Sequence, residues 1–240
     1  MVKCVISEKS LEMNVSENIV NIVRRNHPKA YIYGYSARIE AIHGLDCSIN
    51  IPGHLRITSF QFKKPNSRSD NNYKFTFNIR LQHLKIIALA IAIKEVLNKD
   101  PHIYYVLPCI CNSIDMETSS PRFTGRTLFI PALHLKQYAD MNKHNITINV
   151  NTRTYIIQSQ KQGEGKALTF DEVWERIRES TERNNIPTAE ELRKLKVPFE
   201  KLRDMLIDNG IPEDAIDELI KKLSKYKGHA TITYLVALAL

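Results

Sequence analysis

Pro52-Gly53 constrains this chain more than any other feature, because it separates two runs of alternating side chains. Before it, Cys47, Ile49 and Ile51 alternate with Asp46, Ser48 and Asn50. After it, Arg56, Thr58, Phe60 and Phe62 alternate with Leu55, Ile57, Ser59, Gln61 and Lys63. A period of two marks half-buried strands, and Pro followed by Gly supplies the preset φ and the positive-φ tolerance of a reverse turn. The two runs therefore read as a hairpin. A two-residue loop of Pro52 and Gly53, or a four-residue loop from Ile51 to His54, gives one register, with Asp46 opposite Ser59 and Gly44 opposite Gln61. Asp46 and Gln61 are then diagonal neighbours on one face, roughly 7–8 Å apart at Cα. Lys63 follows on the same side, and Lys64 points the other way.

An acid, an amide carbonyl and a lysine on one face suit a hard cation. Mg²⁺ takes oxygen ligands, often one or two carboxylates together with phosphate and water. Asp46 and Gln61 are the candidate metal ligands, and Glu40 could add a second carboxylate. Lys63 could orient a water, help deprotonate it, or balance charge building on a phosphate.

Asp46 and then Gln61-Phe62-Lys63 at the end of the next strand resemble the PD-(D/E)xK nuclease superfamily, in its Gln-x-Lys form. The family pattern is an acid opening one strand and (D/E/Q)-x-K on the next. Asp46 matches the first acid, Gln61 the second position and Lys63 the lysine. Glu40 matches the additional upstream glutamate, with Glu17 as its rival. Leu45 stands where the family has Pro, and Gln61 carries one charge fewer than the commoner acid. The resemblance covers roughly residues 15 to 135. It implies a restriction-endonuclease-like core and hydrolysis of DNA phosphodiester bonds with Mg²⁺ or Mn²⁺. The catalytic set would be Asp46, Gln61, Lys63 and Glu40. In some relatives of the RecB branch a helix glutamine after the lysine strand faces the active site, and Gln82 resembles it loosely.

Charge points the same way. Of 34 Lys+Arg and 26 Asp+Glu, residues 1–165 hold 21 and 12, while residues 166–240 hold 13 and 14. The basic excess accompanies the hairpin, as a nucleic-acid partner would require. Lys64, Arg68, Arg24 and Arg25 are the candidate phosphate contacts. Cys109-x-Cys111 lacks zinc spacing, a disulfide framework is not expected, and Cys47 and Cys109 read as core thiols. The opening residues have no apolar run of a signal peptide. The longest apolar stretch, Leu81 to Leu97, is too short and too charged to span a bilayer. A soluble cytoplasmic protein with no membrane contact is expected.

Along the chain, residues 2–7 read as a short strand. Ser16 reads as the cap of a helix to about Arg25, stopped by Asn26-His27-Pro28. Residues 66–72 read as a mobile loop, 73–79 as a third strand and 81–98 as a buried helix. Residues 102–108 read as a fourth strand in a crossover with the third, 112–125 as a loop, and 126–131 and 146–158 as further strands. Gln160 to Lys166 reads as a linker. Beyond it, Thr169 and Thr188 begin capping boxes, and helices are expected near 170–184, 189–195, 199–209 and 213–226. The apolar end, Ile232 to Leu240, is expected to pack back onto the protein.

The expected fold is thus α/β, a mixed sheet flanked by helices over residues 1–160, with a helical region at 161–240 that could support a homodimer. Two rivals stand beside the nuclease. One is a nuclease-like fold that binds nucleic acid without cutting it. The other is a structural protein acting through the C-terminal helices.

Overall fold

The structure is a computed structural model that describes residues 1–35, 44–51, 57–77, 81–159 and 162–225. Among the described residues the chain is α/β, with two sheets, one of them mixed. β1 (Val2–Lys3) precedes α1 (Glu8–Arg24), β2 (Tyr31–Gly34), β3 (Cys47–Asn50), β4 (Ile57–Phe62), β5 (Ser67–Ser69) and β6 (Asn72–Phe77). α2 (Gln82–Val96), β7 (Ile103–Pro108), α3 (Ser113–Ser119) and β8 (Thr127–Pro131) follow. Then come β9 (His144–Asn149), β10 (Thr154–Gln158), β11 (Gly163–Lys166), α4 (Phe170–Glu182), α5 (Ala189–Lys194), α6 (Phe199–Asp208) and α7 (Glu213–Ser224).

The five-stranded sheet has the order β2-β3-β4-β7-β8. β2, β3 and β4 are successive antiparallel neighbours, β4 runs parallel to β7, and β8 returns antiparallel. A parallel neighbour needs a long crossover, and here residues 63–102 supply it. The crossover carries β5, β6 and the buried helix α2. The third strand of the sequence reading is therefore not the partner of β7. β6 belongs to a second, six-stranded sheet of order β1-β5-β6-β9-β10-β11, in which every pair is antiparallel.

Alternation in the five-stranded sheet sends its two faces into two cores. Cys47, Ile49, Phe60, Phe62, Tyr104 and Val106 pack with Leu11, Val15 and Ile19 of α1 and with Val173 and Ile177 of α4. Tyr105 and Leu107 pack on the other side, with α2, with Tyr73 and Phe75 of the second sheet, and with Leu202, Leu206 and Leu219 of the last two helices. α2 is buried continuously from His83 to Ile93. That is the expected fate of a helix that is apolar all round.

Several local readings change. α1 begins eight residues before Ser16, because Ser7 accepts the Ser10 N–H and Leu11, Val15 and Ile19 already carry the helical spacing; Ser16 is a buried mid-helix residue. Residues 66–72 form not a mobile loop but the β5–β6 turn, with Asp70 at φ 52°. The 112–125 loop holds α3, capped by Asn112 accepting from the Asp115 N–H, and one 3₁₀ turn. The linker reading fails at Gly163–Lys166, which pairs with β10; Tyr155 packs where a side chain at Gly165 would stand. Cys4 and Cys111 pair as a disulfide with Cα atoms 4.3 Å apart, and Cys47 and Cys109 are free and buried. Both capping boxes form. The apolar end, 232–240, lies outside the described residues.

Candidate catalytic and cation-binding site

The hairpin brings Asp46 and Gln61 together in a register shifted by two from the one expected. Ser48 faces Ser59 and Ile49 faces Thr58, with Asn50 opposite Ile57 at the tip. The connection therefore spans 51–56, longer than either loop read from Pro52-Gly53, and that turn lies outside the described residues. A shift of two preserves which face each side chain takes. Continuing the observed register sets Asp46 directly across from Gln61, where the sequence reading had them diagonal.

Asp46 stands just before β3, and its Oδ2 accepts the Phe62 N–H at 2.6 Å and Gln61 Nε2 at 2.8 Å. Gln61 Nε2 also donates to the Phe62 carbonyl oxygen at 3.0 Å. The amide carbonyl, Oε1, accepts Gln82 Nε2 at 2.9 Å, and Gln82 Oε1 accepts Lys63 Nζ at 2.9 Å. Lys63, Gln82, Gln61 and Asp46 thus form one directed chain of hydrogen bonds from ammonium to carboxylate. Asp46, Gln61 and Lys63 are buried, with relative exposures of 9 %, 1 % and 6 %, and Gln82 is half-buried. In such surroundings a hydrogen bond to an ion is stronger than in water, and a missing partner costs more.

Two local features bring α2 to this chain. Leu81 precedes the helix in the left-handed conformation, φ 70°, with its side chain buried. Gly44, at φ 76°, packs against the Gln82 backbone and side chain. Gln82 therefore sits in the first helical turn beside the strand that carries Gln61 and Lys63.

Behind the acid the polar face continues. Ser48 and Ser59 are buried, and both hydrogen-bond the Tyr35 hydroxyl, whose pKa burial raises to about 12. Tyr105, beside Gln61 in the parallel pairing, contacts His83 Nδ1 through its hydroxyl at 2.6 Å. His83 Nε2 lies 3.0 Å from the Leu135 carbonyl oxygen. Burial lowers the His83 pKa to about 4, so the ring is neutral near pH 7 and structural in setting. On the α1 side, Lys9 pairs with Glu12 at 2.8 Å; that bond raises its pKa, with a smaller contribution from Asp46.

The remaining candidates are dispersed. Glu40 lies outside the described residues. Glu17 is exposed on α1, lining a surface hollow with Glu12 and Ile32. Lys64 is exposed beside the site, and its N–H donates to Glu8 Oε2 at 3.0 Å. Arg24 and Arg25 are exposed at the end of α1, and Arg24 Nε donates to the Ala30 carbonyl at 2.8 Å. Arg68 is committed elsewhere: it pairs with Asp115 at 3.2 Å and lies 5.8 Å above the Tyr73 ring, on the second sheet.

Among the described residues no three His, Cys, Asp or Glu side chains gather into a metal cluster, and no helix is long and apolar enough to cross a membrane. Asp46 Oδ2 and the Phe62 carbonyl oxygen both accept from Gln61 Nε2. A hard cation accepts such oxygen donors, so the residues suit one in kind, with Gln61 adding its carbonyl once the amide is reversed. No family model, no curated protein and no solved structure matches this chain.

Proposed function

We propose that this protein is a metal-dependent nuclease that hydrolyses phosphodiester bonds in DNA, with the restriction-endonuclease-like core implied by the PD-(D/E)xK resemblance. One observation carries the reading: Asp46, Gln61 and Lys63, singled out by the hairpin alternation and the family resemblance, are joined through Gln82 in one hydrogen-bonded chain. The mixed sheet with α1 on one face and α2 on the other supports it.

In this reading Asp46, the Phe62 carbonyl and the Gln61 amide, once reversed, would hold a Mg²⁺ or Mn²⁺ ion. Such an ion supplies Lewis-acid stabilisation of phosphate charge and lowers the pKa of a bound water. Lys63 carries the ammonium that orients the attacking water or offsets charge on the phosphate. Gln82 holds Lys63 and Gln61 in mutual register. Lys64, exposed next to Lys63 in sequence, and Arg24 and Arg25 at the end of α1 offer phosphate contacts. The protein acts on nucleic acid in the cytoplasm, as a monomer or homodimer.

The nitrogen-first setting of Gln61 favours one rival, a nuclease-like fold that binds nucleic acid without cutting it. Incubation of supercoiled plasmid with Mn²⁺ separates the two. The nuclease reading expects nicked and linear products that disappear in Asp46→Asn. Salt-sensitive DNA binding with no cleavage by any preparation, unchanged in Asp46→Asn, would establish the rival.

A further inference from the structure

We infer that Gln82 is a positioning residue: with Lys63 it locks the Gln61 amide nitrogen-first against Asp46 and keeps the cation position closed until both amides turn over. The inference rests on the cation site of the nuclease reading and adds how that site is governed.

The lock follows from donor and acceptor types alone. The Lys63 ammonium can only donate, so Gln82 must offer it Oε1. Gln82 Nε2 is then left toward Gln61, which must offer its own carbonyl. Gln61 Nε2 in turn points at Asp46 Oδ2 and the Phe62 carbonyl, which can only accept. Both ends of the chain therefore dictate the same direction. Turning Gln61 alone sets nitrogen against nitrogen at Gln82 and oxygen against oxygen at Asp46. A carbonyl-first Gln61 thus requires Gln82 to turn as well, and a turned Gln82 presents its nitrogen to the Lys63 ammonium.

Gln61 is 1 % exposed, so no bulk water replaces a lost partner. The Gln82 backbone is fixed independently, by Gly44 packed against it and by the left-handed Leu81 before it. The amide of residue 82 is thereby held close enough to dictate the orientation of its neighbour. Lys63 is thus tied to the state of the cation position through two uncharged side chains.

The consequence runs against intuition: removing the Gln82 amide should tighten cation binding. In Gln82→Met the Lys63 charge remains, so any gain comes from the freed Gln61. In Gln82→Glu the carboxylate accepts from Lys63 and also demands the Gln61 nitrogen, which drives the carbonyl toward Asp46. Isothermal titration with Mn²⁺ alone, on full-length protein whose fold is checked by circular dichroism, reads this directly. The expected result is a gain of roughly three- to tenfold for Gln82→Met, a larger one for Gln82→Glu, and loss of binding when Asp46→Asn is added to either. Wild-type binding that Gln82→Met leaves unchanged or weakens would overturn the lock while leaving the cation site standing. No binding by wild type or either variant would overturn the lock and the cation site together.

Discussion

Gly44 leaves no room for a side chain against Gln82: a Cβ there would stand 2.8 Å from the Gln82 carbonyl oxygen and 2.9 Å from its Cγ. The backbone at Gly44 is also left-handed, at φ 76°. Gly44→Ala meets both costs, since a left-handed Ala is unfavourable by roughly 1–2 kcal/mol and overpacking adds about 1–3 kcal/mol. The expected outcome is a destabilisation of about 2–5 kcal/mol in urea unfolding, with α2 moved off the strand that carries Gln61. A variant as stable as wild type would show that this contact does not set the helix position.

Asp46 has two roles that two substitutions separate. Asp46→Ala removes the acceptor of the Phe62 N–H and one acceptor of Gln61 Nε2, inside a buried site. Leaving a buried donor unsatisfied costs about 1–3 kcal/mol. Asp46→Asn keeps a carbonyl that can accept, so it should retain most of the stability and still abolish cleavage. Chemical denaturation and plasmid nicking of both variants check this together. Equal stability loss in both would assign the carboxylate charge, and not the acceptor, to the fold.

Two buried histidines predict a stability loss in mild acid. Burial lowers the pKa of His83 and of His102 from 6.5 to about 4 in each case. The unfolded chain therefore binds protons that the folded chain refuses between those values. Stability is complete above about pH 6.5 and is lost as the pH falls toward about 4, with each histidine contributing on the order of 3 kcal/mol. Urea midpoints measured from pH 7.5 to 4.5 should fall steadily below pH 6.5. A flat profile over that window would contradict neutral, desolvated rings.

The C-terminal helices are expected to be inseparable from the rest. Val173 and Ile177 of α4 belong to the core under one face of the five-stranded sheet. Leu202, Leu206 and Leu219 of α6 and α7 belong to the core around α2. A chain ending at residue 166 should show no cooperative thermal transition by far-ultraviolet circular dichroism. A sharp transition near that of the full chain would mark residues 1–166 as an independent domain.

How legible was this in the amino-acid order? Period-two alternation placed β3 and β4 and the side each residue takes, because parity survives a loop that grows by two. It could not place the register, since Pro52-Gly53 implied a shorter connection than 51–56. Alternation also says nothing about which sheet a strand joins; β6 read like a neighbour of β7 and lies in the other sheet. The glycines of Gly163–Lys166 imitate a linker, and only the packing of Tyr155 against Gly165 shows why a strand tolerates them. Arg68 looked like a free cation because its partner, Asp115, is 47 residues away. Gln82 carried a faint signal, its place at the start of the helix after the lysine strand. Ser48, Ser59 and Tyr35 carried none, because a polar residue on the inward face of a strand resembles any other until its partners are known.

The account stands or falls on whether a cation is held beside Asp46. Anomalous diffraction from crystals soaked in Mn²⁺ measures this. The prediction is a peak at a hard-cation bonding distance of about 2.1 Å from an Asp46 carboxylate oxygen, with the Gln61 amide turned carbonyl-first toward it. Full Mn²⁺ occupancy elsewhere, with Gln61 Nε2 still donating to Asp46, would contradict it.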